Sequence, residues 1–375
     1  MSSRDFVRSL PQRDSLATRR LVQVHLDPLL LAALLAVIAF GLVVLYSAVE
    51  RDTEVFARQG LRLGLALVVL VVAAQLDPRL YLRWSPVLYV GGLVLLTAVL
   101  LFGVIVKGSQ RWLDVPGLPR FQPSEIMKVA VPLMVAWYFN DRPLPPSFKH
   151  LMIALGLIAL PAALIAEQPD LGTAILVSTA GLAVIVLSGI YWRWMGAAAL
   201  AGLLAAPGLW YLMRDYQRDR VLTLFDPERD PLGTGWNIMQ STTAIGSGGV
   251  FGKGLFEGTQ SHLEFLPESQ TDFIIAVVAE ELGLVGMVTL LFLYLVVVAR
   301  GLYIATQAPH TFGRLVVGAF TLTFFVYVFV NIAMVCGILP VVGVPLPLVS
   351  YGGTSAITLM ASFGVIMSIH THRGW

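Results

Sequence analysis

Ten apolar segments recur along this chain, each of a length suited to crossing a lipid bilayer as a helix. They run over Leu29–Val49, Gly60–Leu76, Ser85–Val106, Pro123–Asn140, Leu151–Ala166, Leu171–Gly189, Trp194–Met213, Asp272–Ala299, Leu315–Gly337 and Ser350–Ile369. A helix needs roughly 20 mostly apolar residues to cross the ~30 Å hydrocarbon core. The fold class this predicts is all-α: a polytopic integral membrane protein of about ten transmembrane helices. Composition agrees, with 57% hydrophobic and only 13% charged residues, against ~45–50% and ~25% in soluble domains. A net charge of +2 leaves no basic footprint for nucleic acid. The single cysteine, Cys336, excludes an intramolecular disulfide framework and a cysteine-ligand zinc cluster.

Residues 1–28 form a polar N-terminal segment with Arg4, Arg8, Arg13, Arg19 and Arg20, and without the apolar core of a signal peptide. The transmembrane domain occupies 29–370, and 371–375 is a short C-terminal segment. With the N-terminus in the cytoplasm, inside loops hold 13 Lys or Arg residues and short outside loops five. The positive-inside rule therefore puts both termini in the cytoplasm. The long loop between spans seven and eight, 214–271, then faces outside. It is rich in glycine, charge and turn residues and reads as an irregular functional loop.

Ionisable groups inside spans are costly and need an account. Span four opens Arg120-Phe121-Gln122-Pro123-Ser124-Glu125-Ile126-Met127-Lys128. Proline suits the first helical turn, and the helix dipole favours Glu125 just after it. Lys128 follows at i+3 on the same face. Two readings stand: a structural ion pair locking helices, or a cationic floor for a phosphate or pyrophosphate group. Arg120 and Arg111 at the same mouth strengthen the second, since arginine holds phosphate oxygens bidentately. Trp112 is either an interfacial anchor or a ring stacked on a sugar or lining a lipid groove.

Asp272, at the start of span eight, either caps its helix or serves as a general base. Glu264 and Glu268 lie just upstream, and clustered acids can raise one pKa toward neutrality. Glu280 and Glu281 read as packing or pathway groups. Gly248–Gly254 resembles a phosphate-binding loop only superficially, with Gly254 where Ser or Thr would bind magnesium. Pro340, Pro345, Pro347 and Ser350-Tyr351-Gly352-Gly353 break the chain before span ten, implying irregular backbone around a cavity.

Four motifs together resemble a known family. Gly108-Ser109-Gln110-Arg111-Trp112 with Arg120–Glu125 and Lys128 is similar to a signature of the SEDS proteins (shape, elongation, division and sporulation). Gln168-Pro169-Asp170-Leu171-Gly172-Thr173-Ala174 is similar to a second, and His262–Glu268 with Thr271-Asp272-Phe273 to a third. Pro347-Leu348-Val349-Ser350-Tyr351-Gly352-Gly353 is similar to a fourth. The Gln240–Phe273 stretch and short N-terminus most resemble the elongation-associated branch rather than the division branch.

The resemblance implies a peptidoglycan glycosyltransferase that polymerises lipid II on the outer face of the bacterial cytoplasmic membrane, releasing undecaprenyl pyrophosphate. It implies a catalytic role for Asp272, with Glu264, Arg120, Glu125, Lys128 and Trp112 supporting or contacting substrate; Arg111 joins them from the charge argument above. Asp272 would be base for the acceptor 4-hydroxyl, while Lys128 and Arg120 stabilise charge on the leaving group. No cofactor is implied with certainty; a divalent cation, Mg or Mn, could share that task. A class B penicillin-binding protein and other elongation-complex proteins are the implied partners. The competing functions are a lipid II flippase and a non-catalytic scaffold of the wall-synthesis complex.

Overall fold

A computed structural model describes residues 24–106, 109–114, 120–231, 233–259 and 269–372. The chain runs α1 (Pro28–Ala48), α2 (Thr53–Gln75), α3 (Pro78–Phe102), then a hairpin of β1 (Val104–Val106) and β2 (Ser109–Trp112). Next come α4 (Pro123–Asn140), α5 (Phe148–Glu167), α6 (Leu171–Leu187), α7 (Trp192–Leu212), α8 (Asp215–Phe225) and α9 (Thr234–Ser247). It closes with α10 (Ile274–Gln307), α11 (Thr311–Val335) and α12 (Thr354–Thr371). Aspartates start several of these helices. Asp27, Asp52, Asp77 and Asp170 each accept a backbone N–H from the first turn, meeting a donor the helix cannot pair internally.

Seven of the ten expected spans are long and apolar enough to cross a membrane by length and composition: α1, α2, α3, α5, α10, α11 and α12. Helix α6 is apolar but has 17 residues, and α4 is made more polar by Glu125 and Lys128. Helix α7 is solvent- or lipid-facing along nearly all its described length. Helices α11 and α12 are the most enclosed of the seven. They form the centre of the bundle with α4, whose Met127, Val131, Leu133 and Phe139 are fully buried.

The 214–271 stretch departs from the irregular loop its composition suggests. It carries α8, a 3-10 turn at Pro227–Arg229, and α9. Gln217 folds back to accept the Arg214 N–H and start α8, and α9 buries Ile238, Ser241 and Ala244 along one face. Glycine-rich composition obscured that three-residue periodicity.

After α9 the chain dips against α10 and interrupts it. Gly283 breaks that helix with φ 62° and ψ −157°, a conformation that glycine adopts without strain. The interruption strands backbone groups that lipid could not satisfy. The dipping segment supplies their partners: Leu284 and Val285 donate to the carbonyls of Gly249 and Val250, at 3.0 and 3.1 Å. The amides of Lys253 and Gly254 donate to the carbonyls of Glu280 and Glu281, both at 3.0 Å. A Cβ on Gly283 would come within 2.3 Å of the Gly252 nitrogen, so the two backbones can meet only without one.

The two glutamates beside the break are paired. Glu280, fully buried, accepts from Lys253 Nζ at 2.6 Å and from the Thr259 amide at 2.8 Å. Glu281 accepts from Ser47 Oγ of α1 at 2.8 Å, and that hydroxyl oxygen accepts the Phe256 N–H at 2.9 Å. Both carboxylates thus hold neighbouring segments to α10, the packing half of the packing-or-pathway reading.

At the opposite end of the bundle, Asp27 ties three helices together. It accepts from Arg300 Nη2 of α10 at 2.6 Å and lies 3.1 Å from His370 Nδ1 of α12. Beside it the rings of His25 and His372 stack with centroids 3.7 Å apart.

Candidate active site

The starts of α4, α6 and α12 converge at one end of the bundle around a cavity of about 230 Å³. Its walls include Arg111, Trp112, Glu125, Lys128 and Asp170, together with irregular backbone at Gly343–Pro345 and Gly352–Gly353. The irregular backbone expected before span ten therefore does line a cavity: α12 begins only at Thr354.

Pro123 occupies the first turn of α4, with Glu125 just inside it. Lys128 Nζ donates to Glu125 Oε1 at 2.5 Å, with both side chains at most 10% exposed. Thr358 Oγ1 of α12 donates to the other carboxylate oxygen at 2.9 Å. The ammonium also lies 5.2 Å from the centre of the Tyr327 ring of α11, a favourable approach to the negative ring face. The i+3 pairing expected from the sequence is present, and Lys128 faces the cavity as well. The two readings of the pair are thus compatible.

Arg111 and Trp112 reach the cavity from β2, which pairs antiparallel with β1. Arg111 Nη2 donates to the Pro169 carbonyl at 2.6 Å, and Nη1 lies 3.7 Å from Asp170 Oδ1. Asp170 is 5% exposed. It accepts from Gln122 Nε2 at 2.7 Å and from the Thr173 N–H at 3.2 Å. A carboxylate with that many donors fixes the α4 and α6 starts against each other. Sequence reasoning quoted Asp170 within a motif but gave it no role; its signal was an aspartate directly before an apolar run.

Arg120 stands elsewhere. Its Nε donates to Asp114 Oδ2 at 2.9 Å, the arginine 59% and the aspartate 42% exposed, and it does not line the cavity. Glu264 and Glu268 lie outside the described residues.

Asp272 sits in the turn leading into α10, whose N-cap is Phe273 and has no side-chain cap bond. Its carboxylate lies against Gly343: a Cβ there would be 3.5 Å from Asp272 Oδ2. Gly343 has φ 72° and lines the cavity, so the aspartate borders the chamber. Neighbouring backbone is tied down on both sides. Ser350 Oγ donates to the Thr271 carbonyl at 2.5 Å, and the Tyr351 amide to the Gln270 carbonyl at 2.8 Å. Asn331 Nδ2 donates to the Asp272 carbonyl at 2.8 Å.

Arg220 of α8 also belongs to this end of the molecule, within electrostatic reach of Arg111, Asp170 and Asp272. Burial first, and the neighbouring Arg111 charge second, push its guanidinium below its ordinary value. It was hidden in sequence because α8 was read as irregular loop. Among the described residues, no group of three or more His, Cys, Asp or Glu side chains is arranged to hold a metal ion.

A helical, polytopic membrane protein with a chamber that holds two cation–carboxylate pairs beside an aspartate is the class that fold and site define. The family model for cell cycle proteins of the FtsW, RodA and SpoVE type matches residues 27–374. Peptidoglycan glycosyltransferase MrdB of Escherichia coli K12 is 57% identical over 352 residues, covering 94% of this chain and 95% of its own. A probable peptidoglycan glycosyltransferase FtsW of Geobacter sulfurreducens is 34% identical, covering 92% and 95%. Among solved structures, a chain from a peptidoglycan synthase complex superposes with a TM-score of 0.80 at 33% identity, covering 93% of this chain and 98% of that one. The rod shape determining protein RodA of Thermus thermophilus gives 0.71 at 30% identity, with the same coverage. This chain belongs to the SEDS family, as its four motifs imply.

Proposed function

We propose that this chain is a peptidoglycan glycosyltransferase that polymerises lipid II into β-1,4 glycan during cell elongation, with Asp272 as its general base. The observation that carries the reading is the placement of Asp272 against Gly343, at the edge of a chamber floored by Lys128. The names of the relatives and the higher identity to MrdB than to FtsW support the activity and the elongation branch.

Lipid II needs cations for its pyrophosphate, a greasy surround for its tail, and a base for the incoming hydroxyl. Asp272 takes the proton of the acceptor sugar's 4-hydroxyl as that oxygen attacks the donor's anomeric carbon. The bond from that carbon to the pyrophosphate oxygen breaks in the same displacement. The α-linked donor becomes a β-1,4 linkage, and undecaprenyl pyrophosphate leaves. Charge developing on the leaving group is met by Lys128 and Arg111, which line the chamber. Preorganised cations of this kind usually supply the largest share of catalysis. Arg120, exposed outside the chamber in a pair with Asp114, adds longer-range attraction for the pyrophosphate. Glu264 keeps the supporting role that the motif resemblance gives it. Glu125 and Asp170 already accept hydrogen bonds from Lys128, Thr358, Gln122 and the Thr173 amide. A divalent cation, Mg or Mn, would therefore arrive with the pyrophosphate, held by its oxygens and one or two carboxylates.

In the bilayer we place all ten long helices as spans, with the chamber extracytoplasmic and both termini cytoplasmic. The structural relative from a peptidoglycan synthase complex supports a partner that cross-links the glycan. A class B penicillin-binding protein, with the other elongation-complex proteins, fits that role.

The test is a gel assay of labelled lipid II with purified protein and its transpeptidase partner, comparing wild type with Asp272→Asn. The expected result is a glycan ladder from wild type and none from a folded variant. Equal ladders would remove Asp272 as the base, and no ladder from activated wild type would favour transport or scaffolding.

A further inference from the structure

We infer that Asn331 is a positioning residue for Asp272, an inference that rests on reading Asp272 as the base. Asn331 lies in the last third of α11, surrounded by apolar residues and with no exposed surface. Both hydrogens of its amide are used, and both go to irregular backbone outside its own helix. Nδ2 donates to the Asp272 carbonyl at 2.8 Å and to the Val344 carbonyl at 2.7 Å. Two carbonyls facing the same atom fix the amide's orientation, since its oxygen there would be repelled by both.

These two carbonyls belong to the two halves of the site. One is the backbone of Asp272 itself; the other adjoins Gly343, against which the Asp272 carboxylate rests. A single rigid side chain thus sets the distance between the aspartate and the chamber wall. Among the described residues the amide oxygen of Asn331 has no hydrogen-bond partner, and it is buried. Burying an unpaired polar atom is unfavourable, and a leucine of similar size would avoid it if the position needed only packing. The need for two donors at this one point accounts for the asparagine.

The experiment compares Asn331→Leu and Asn331→Ala with wild type in the partner-activated polymerisation assay. Val297→Ala serves as a control: Val297 is fully buried in α10, far along that helix from Asp272. Displacing a reacting group by about 1 Å can cost 100-fold, so both Asn331 variants should lose roughly 100-fold in turnover with KM for lipid II within about threefold of wild type. The acid limb of their residual pH–rate profile should also move, because the carboxylate has shifted relative to its neighbours. Val297→Ala should keep wild-type turnover and profile at a similar loss of thermal stability. Should Asn331→Ala fail to fold, Asn331→Ser, which keeps one donor, enters the same comparison. Wild-type turnover in Asn331→Leu, or a loss that follows melting temperature with an unmoved pH profile, would overturn the inference. If Asp272→Asn is inactive while Asn331→Leu is fully active, only the positioning role fails; if Asp272→Asn is active, the base assignment itself fails.

Discussion

Lys253 and Glu280 meet at 2.6 Å beside the break in α10, the glutamate with no exposed side-chain surface and the lysine 27% exposed. The ammonium is the charged donor to a carboxylate that has no exposed surface. Lys253→Met should therefore destabilise the protein by ~3–5 kcal/mol, the usual cost of orphaning a buried ion. Lys253→Met combined with Glu280→Gln should be less damaging than Lys253→Met alone, because the amide carries no charge and still accepts the Thr259 N–H. Thermal unfolding in matched detergent or nanodiscs reads both, and a harmless Lys253→Met would refute the prediction.

Glu125 and Lys128 form a second pair, at 2.5 Å, facing the chamber. Lys128→Met leaves Glu125 buried with Thr358 still donating to it, and should lower both stability and polymerisation. Adding Glu125→Gln should return much of the stability without returning activity. Recovery of both together would make the pair purely structural.

Arg111 and Arg120 lie nine residues apart and are not equivalent: one is bonded into the chamber wall, the other is exposed outside it. Arg120→Ala removes an exposed pair with Asp114, worth ~0–1 kcal/mol, and should leave melting nearly unchanged. Its effect on polymerisation should shrink as salt is raised. Arg111→Ala loses the bond to the Pro169 carbonyl and should reduce turnover far more, at any salt. Rates of the two variants at low and high ionic strength decide the ranking.

The distal end predicts two separate pH windows. Burial alone would raise the Asp27 carboxyl, but hydrogen bonds from His370, Arg300 and the Leu30 amide outweigh it and hold it well below the usual carboxylate range. Its contribution to stability is present above its unfolded value near ~3.9 and is lost only below that. For His25, burial and then the charge of His372 lower the pKa. The folded state thus takes up that proton less readily than the unfolded chain, and stability falls as pH drops through ~6.5. Melting curves between neutral and mildly acidic pH should show this loss in wild type and less of it in His372→Gln; an identical slope in both would exclude the stacked pair as its source.

How far the sequence reveals this molecule depends on what each residue is for. Apolar length located the helices, since bilayer thickness sets it, though α3 begins at Pro78 where hydropathy suggested Ser85. Glu125 and Lys128 were legible because a charged pair at i+3 within an apolar run demands an explanation. The glycines at 248–254 are not: their spacing resembles a phosphate loop, whereas Gly248 and Gly252 allow backbone to lie on backbone beside Gly283. Asn331 is hidden because an uncharged amide in a span does not stand out as an ionisable group does, although it too needs buried partners. Asp170 and Arg220 needed the third dimension, which brings β2, α6 and α8 to one mouth.

The break at Gly283 divides α10 into a short upper piece and a long lower shaft. From Ile274 to Glu281 the upper piece is buried at every residue, gripped by protein on all sides. The shaft beyond it exposes Leu284, Val288, Leu291, Phe292 and Leu295. Membrane helices answer changes in bilayer thickness by tilting, and an unbroken rod would carry such a tilt to its tip. Here the break lies between the lipid-facing shaft and the enclosed tip beside Asp272, and backbone bonds to residues 249–254 clamp both of its sides. A thickness-driven tilt of the shaft would therefore meet that backbone clamp before it reached the aspartate.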